Sequence, residues 1–204
     1  MTSYIEQSAD VDDTATIGAG TRVWHLAQVR ENAHIGANCT VSRGAYVGPA
    51  VAVGDGSKIQ NYALVYDPAV LGRGVFIGPA AVLTNDQYPR SVNADLTPRG
   101  GADWHPVGVT VGDGAAIGAQ AVCIAPLQIG RWASVAAGAV VTTDVPDFAL
   151  VVGVPAQQVG WVGHAGVRLV NHGDTWHCPE SRRTYVETED GLVEFGSQPE
   201  EAGS

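Results

Sequence analysis

The sequence predicts an all-β fold: a parallel β-helix wound from six-residue repeats, interrupted by one long loop and followed by a short C-terminal tail. Three observations predict it. An aliphatic residue returns at every sixth position, a small residue follows four positions later, and glycine often comes directly after the aliphatic. Neither the 3.6-residue period of a helix nor the two-residue period of a simple strand yields six. A coil of three short flat strands does.

The aliphatic series runs without a miss through Val11, Ile17, Val23, Val29, Ile35, Val41, Val47, Val53, Ile59, Val65, Leu71, Ile77 and Leu83. It resumes at Val111, Ile117, Cys123, Ile129, Val135 and Val141. These side chains are expected to fill the axis. The small set, among them Ala15, Thr21, Ala27, Cys39, Ser57 and Ala63, takes the next inward position. Glycines such as Gly18, Gly36, Gly54, Gly78 and Gly118 are expected to permit the corners. With three repeats per turn, residues 18 apart stack on neighbouring coils.

The separation of Leu83 from Val111 is not a multiple of six, so the frame breaks between them. The interruption, about residues 85–106, contains Pro89, Pro98 and Pro106. Loops this long inside a regular solenoid are uncommon and are usually functional. After Val141 the repeat stops at Asp144-Val145-Pro146, and Gly153-Val-Pro-Ala156 leads into Val159-Gly-Trp161. The β-helix domain is therefore residues 1–162. In the extension, 163–204, Tyr185–Phe195 is expected to form a hairpin around Asp190-Gly191. Residues Glu200–Ser204 are expected to fray.

A net charge of -10, with eleven Lys and Arg, argues against nucleic acid or an acidic membrane as partner. No apolar run approaches the ~18 residues of a membrane span. Residues 1–7 lack signal-peptide features, and three cysteines make no disulfide framework. The chain is expected in the cytoplasm.

Stacking by 18 gathers distant polar residues into columns. His25, Arg43 and Asn61 form one. Glu31, Pro49, Asp67 and Asn85 form a second, ending where the loop departs. Gln60 and Tyr66 flank these two. Beyond the loop, Ala119, Ala137 and Pro155 form a third, of small residues that leave backbone groups accessible to a long thin ligand. The pantetheine arm of coenzyme A has that shape and carries amides.

Val23-Trp24-His25, Lys58-Ile-Gln-Asn61, Val65-Tyr66-Asp67, Leu83-Thr-Asn-Asp-Gln-Tyr-Pro-Arg90 and Gly153-Val-Pro-Ala156 carry a resemblance. With the repeats, they make residues 11 to about 162 similar to the left-handed hexapeptide-repeat acyltransferases. Within these, they resemble the bacterial N-acetyltransferases of nucleotide-linked 3-amino sugars, used in making surface polysaccharides. The left hand of the coil comes from this resemblance, since parallel crossovers are otherwise right-handed.

The resemblance implies a homotrimer, with acetyl-coenzyme A in the groove between adjacent β-helices and the amino sugar nucleotide entering from the other end. It implies that Asn85 positions the sugar amine and that Asp86 assists or binds substrate. His25, like His105, is a candidate base, because a histidine fills that role in many members of the wider superfamily. Glu31, Arg43, Gln60, Asn61, Tyr66, Asp67, Tyr88 and Arg90 are the expected acceptor contacts, with Arg99 a further phosphate partner. Ala119, Ala137, Gly138 and Pro155 are the expected cofactor contacts. The nucleotide is expected to be dTDP or UDP, a choice one sequence leaves open, with Asp86 and Tyr88 leaning toward dTDP-linked 3-amino-3,6-dideoxyhexoses.

No metal is expected. Some relatives carry paired cysteines suggesting a zinc ribbon in the extension, but this tail has only Cys178. A zinc-dependent carbonic anhydrase of the same fold would need clustered histidines, and the repeats offer only His25 and His34, with His105 in the loop. Two alternatives remain open: an acetyltransferase with another small acceptor, and a non-catalytic scaffold. A scaffold gives no reason for the loop, the Asn-Asp at its root and the small-residue column to occur together.

Overall fold

A computed structural model describes residues 2–189 and 191–195. Each repeat supplies a two-residue strand and a corner, as in Thr40–Val41, Tyr46–Val47 and Ala52–Val53, which make one coil. Three sheets result, of nine, seven and six strands, parallel throughout except for the last strand of the first. Here they are called first, second and third in chain order. Each strand pairs with its counterpart one coil on: Arg22 with Thr40, Gln28 with Tyr46, His34 with Ala52.

The axis is filled as the period requires. Ile77, Leu83 and Ile117 have no exposed surface. Toward the open first coil the series fades, and Val11 and Ile17 are only half-buried. The small inward positions are buried too, and where polar they are paired. Thr21 Oγ1 donates to the Gly36 carbonyl at 2.7 Å and accepts from the Cys39 amide at 2.8 Å. Ser57 Oγ makes the same two bonds, with Gly72 and Val75, each at 3.0 Å.

The glycines that follow the aliphatics have a different reason from the one expected. The left-handed backbone lies two residues later, and side chains occupy many of these sites: φ is 58° at Leu26, 60° at Tyr62 and 58° at Trp132. The glycines are required by close stacking instead. A Cβ on Gly18 would stand 2.5 Å from the Gly36 backbone, and one on Gly54 2.5 Å from Gly72.

At the corner between the third and first sheets, aspartates accept backbone amides from the preceding coil. Asp55 Oδ1 takes the Ala37 amide at 2.6 Å, Asp113 that of Arg73 at 2.7 Å, and Asp147 that of Arg131 at 2.6 Å. Arg73 Nε also donates to Asp113 Oδ2 at 2.9 Å. Partial burial pushes the Asp113 carboxyl up, but the hydrogen bonds and charge of Arg73 outweigh it and hold the pKa below the usual range. A carboxyl lowered on folding stabilises above its unfolded value, and the contribution fades as pH falls through its folded value. Asp113→Asn should therefore melt a few degrees lower at pH 7, given ~0.2–1 kcal/mol for an exposed pair. The difference from the parent should shrink as pH falls below the ordinary Asp value of ~3.9; thermal melts whose difference is unchanged between neutral and strongly acid pH would refute this.

The loop leaves the register intact. Before it Leu64 pairs with Val82 and Val65 with Leu83; across it Val82 pairs with Val122 and Leu83 with Cys123, in the same alignment. The whole insertion is thus looped out between consecutive rungs. The coil narrows at its far end, where Val135 pairs with Val151, two positions before the partner that the repeat would assign. Ala149–Val152 and Gln157–Trp161 then form an antiparallel pair, with Gly153–Ala156 as the turn. The extension holds a four-stranded antiparallel sheet, Val170–Asn171, Trp176–His177, Thr184–Thr188 and Gly191–Glu194. It docks through buried Tyr185, whose ring meets Phe148 and, by way of His164, Trp132, and through the Leu192 amide, which donates to the Asp147 carbonyl at 3.4 Å. Asp190 of the expected turn, and Glu200–Ser204, lie outside the described residues.

Candidate functional site

The corner between the first and second sheets is a continuous edge. Backbone bonds climb it one coil at a time: Gly44 N to His25 O at 3.1 Å, Tyr62 N to Arg43 O at 3.0 Å, Ala80 N to Asn61 O at 2.9 Å, Gln120 N to Pro79 O at 2.9 Å, and Gly138 N to Ala119 O at 2.9 Å. The columns His25–Arg43–Asn61 and Ala119–Ala137 are thus two ends of one edge, polar before the loop's level and small after it. Pro155 departs from the expected stacking. The shortened last coil puts Gly153 two residues past Val151, while Pro155 sits in the following turn.

At the polar end, Trp24, His25, Ser42, Arg43 and Asn61 line a cavity of about 350 Å³. His25 stacks on Trp24, and its Nε2 lies 3.5 Å from Glu6 Oε1, which orients the ring. Arg43 Nε donates to the Tyr62 hydroxyl at 3.2 Å. Gln60 is half-buried beside Asn61.

Asn85 stands at the next corner, between the second and third sheets. It is half-buried directly beyond fully buried Leu83, and its carbonyl accepts the Val107 amide at 3.1 Å, closing the root of the loop. One turn out, Asp86, Arg90, Ser91, Arg99, Gly100, Gly101, Asp103 and Trp104 line a cavity of about 370 Å³. Arg90 pairs with neither Asp86 nor Asp95. Its Nη1 donates to the Pro89 carbonyl at 2.7 Å, while Asp86 holds Trp104 and Asp95 holds Thr97. Tyr88 and His105 are exposed on the loop. Arg43 is not brought beside Arg90 and Arg99; it lines the other cavity.

The second sheet's outer face spans the two corners. Arg30 grips Glu31 with two hydrogen bonds, at 2.8 and 3.1 Å. Tyr46 and Tyr66 lie with ring centroids 5.2 Å apart. Burial pushes the Tyr46 phenol up, the Arg30 charge opposes this, and Asp67 adds to it. Arg30, Glu31, Tyr46, Tyr66 and Asp67 are thus one polar–aromatic patch below the loop root. Arg30 and Tyr46 escaped the sequence reading because they lie off the corner columns that were followed along the stack, and neither belongs to a motif that carries the resemblance. Ser42 and Trp104 were missed likewise.

Among the described residues, no group of three or more His, Cys, Asp or Glu side chains is placed to hold a metal ion. Burial pushes the Cys123 thiol up to about 12, so it carries no nucleophilic role near neutral pH. Among the described residues, no helix is long and apolar enough to cross a membrane.

The family model for the bacterial transferase hexapeptide (six repeats) matches residues 14–49, and that for the hexapeptide repeat of succinyl-transferase matches residues 108–143. These flank the loop on both sides and agree with the coil. Both matched stretches are hexapeptide repeats of the kind found in bacterial transferases. Among curated relatives, the bifunctional protein GlmU of Synechococcus sp. (strain RCC307) is 32% identical over 154 residues, 74% of this chain and 30% of that one. The chain thus spans about a third of the length of such curated relatives. PerB from Caulobacter crescentus, solved in complex with CoA and GDP-perosamine, is 27% identical, with TM-score 0.50 over 78% of this chain and 58% of that one. LpxA from Bacteroides fragilis 9343, a UDP-N-acetylglucosamine acyltransferase, superposes with TM-score 0.64 at 16% identity over 78% and 61%. The fold, shared with LpxA and indicated by the hexapeptide repeats, is the left-handed β-helix.

Proposed function

We propose that the protein is an acetyl-coenzyme A-dependent N-acetyltransferase acting on the amine of a nucleotide-linked amino sugar, and that it works as a homotrimer. The observation that carries this is the edge that turns from His25, Arg43 and Asn61 into Ala119, Ala137 and Gly138 at the level where the loop bearing Asn85 and Asp86 is inserted. A thin cofactor fits the small end, with amides of the pantetheine arm paired to exposed backbone, and a polar acceptor fits the other. PerB, with CoA and GDP-perosamine in its crystals, supports both ligand classes.

In this reading the sugar amine attacks the thioester carbon, the C–S bond breaks, and the amine proton ends on the departing sulfur. Asn85 aims the amine by accepting one of its N–H bonds, since a carboxamide is no base at neutral pH. Asp86 and the patch from Glu31 to Asp67 hold the sugar, with Tyr88 beside it. Arg90 and Arg99 are the natural partners of the diphosphate in so acidic a chain. Arg43 lines a separate cavity on the same chain, so its part in phosphate binding requires the neighbouring protomer of the trimer.

The test combines three measurements. Acetyl-coenzyme A should raise the melting temperature, by ~2.7 kcal/mol of stabilisation at a hundredfold excess over Kd. Light scattering should give three times the 21.1 kDa chain mass. Thiol release should follow addition of dTDP-, UDP- or GDP-linked amino sugars, with one nucleotide preferred. An active monomer would overturn the assembly. Acetyl-coenzyme A binding without turnover of any amino sugar would favour a different small acceptor, the second reading, which the match to GlmU keeps in play.

A further inference from the structure

We infer that Trp104 is a positioning residue, whose indole N–H clasps Asp86 and so holds the loop cleft in the shape that receives the acceptor. The inserted loop is shaped largely by its own bonds. Arg99 N donates to Ser91 O at 3.0 Å, Asn93 N to Thr97 O at 2.9 Å, and Val92 bridges Pro98. Gly100 N donates to Asp103 Oδ2 at 2.9 Å, fixing the short turn Gly101–Asp103. Those bonds lie in the tip and the returning limb.

Among the described residues, two hydrogen bonds join the outgoing limb to the returning one near the root. One is Val107 N to Asn85 O; the other is Trp104 Nε1 to Asp86 Oδ1 at 2.6 Å. Trp104 is 41% exposed, so burial alone does not account for an indole here. A phenylalanine would cover nearly the same area. What tryptophan adds is a single fixed donor, and a donor to an ionised carboxylate forms one of the stronger hydrogen bonds. The bond occupies one oxygen of Asp86 and leaves Oδ2 for a ligand. It also sets the distance between the limbs that carry Arg90 on one side and Arg99, Gly100 and Gly101 on the other, all of which line the same cavity. The placement of the clasp stands on the structure alone, while its effect on the acceptor rests on the function proposed above.

The experiment compares the full-length parent, Trp104→Phe, Asp86→Ala and the double variant. Brief trypsin treatment under native conditions reads opening of the loop at Arg90–Ser91 and Arg99–Gly100. Trp104→Phe should speed that cleavage about 10- to 100-fold, as expected when a charge-assisted hydrogen bond no longer opposes opening. Its melting temperature should stay with the parent's, because the coil register is indifferent to the loop. The double variant should be cleaved no faster than the faster single variant. In turnover assays Trp104→Phe should raise KM for the amino sugar nucleotide and leave KM for acetyl-coenzyme A unchanged. Cleavage of Trp104→Phe at the parent rate, or rates that multiply in the double variant, would overturn the clasp. Cleavage as expected with an unchanged acceptor KM would remove its role toward the acceptor. A parent that acetylates no amino sugar would be a failure of the proposed function, and the trypsin arm would still decide the clasp.

Discussion

Asn85→Ala is expected to acetylate about 30- to 1000-fold more slowly than the parent at saturating substrates, while remaining trimeric and binding acetyl-coenzyme A. The magnitude follows from losing one oriented hydrogen bond at the reacting centre, worth about 2–4 kcal/mol of transition-state stabilisation. The fold is spared because Leu83, two residues earlier, fills the axis while Asn85 occupies a corner. The backbone carbonyl that accepts the Val107 amide survives the substitution, so the loop root stays closed. Steady-state kinetics with a thiol-release assay and light scattering on the same preparation decide it. Turnover within about threefold of the parent would place the chemistry elsewhere. His25, with Glu6 at 3.5 Å, would be examined next, then His105.

The second large effect is on stability. Ile77→Ala should lower the unfolding free energy by about 2–5 kcal/mol, the usual consequence of a large-to-small change in a site that cannot collapse. Ile77 is wholly buried and stacks between Ile59 below and Ile117 above. In a coil, contacts run only between neighbouring turns, so a cavity here weakens the junction between two halves rather than one shared core. Differential scanning calorimetry should show an earlier and broader transition, tending to split. A melt superimposable on the parent's would show that the axis relaxes around the gap.

Much of this architecture was legible because a period of six admits few solutions. The axial residues, the inward small residues and the long interruption all follow from counting, since each inward position repeats the same packing problem. Three things were hidden for physical reasons. The glycines of the corner repeat serve inter-coil contact, and a one-dimensional reading of Gly18 or Gly54 cannot separate close stacking from a left-handed backbone. The shortening of the last coil moved Gly153 into the place assigned to Pro155, because nothing periodic remains there to count. Pairings inside the loop, Trp104 with Asp86 above all, depend on how an aperiodic segment folds back. The candidate site is therefore readable at the corner columns of the coil, as at His25, Arg43, Asn61 and Asn85, whereas coil residues off those columns, such as Arg30 and Tyr46, and the pairings within the loop are not.

The unbroken pairing of Val82 with Val122 and Leu83 with Cys123 on either side of the insertion has a consequence for how such a protein can change. The ladder closes over the gap as though the intervening residues were absent, so selection on the loop is uncoupled from selection on the scaffold. Lengthening a closed segment is thermodynamically mild, about 0.6 kcal/mol for each doubling. An excursion that bonds mainly to itself carries its own folding instructions with it. The segment between Leu83 and Val109 thus behaves as an exchangeable cassette: a different loop can be grafted at that one corner, with the edge that runs from His25 to Gly138 left untouched.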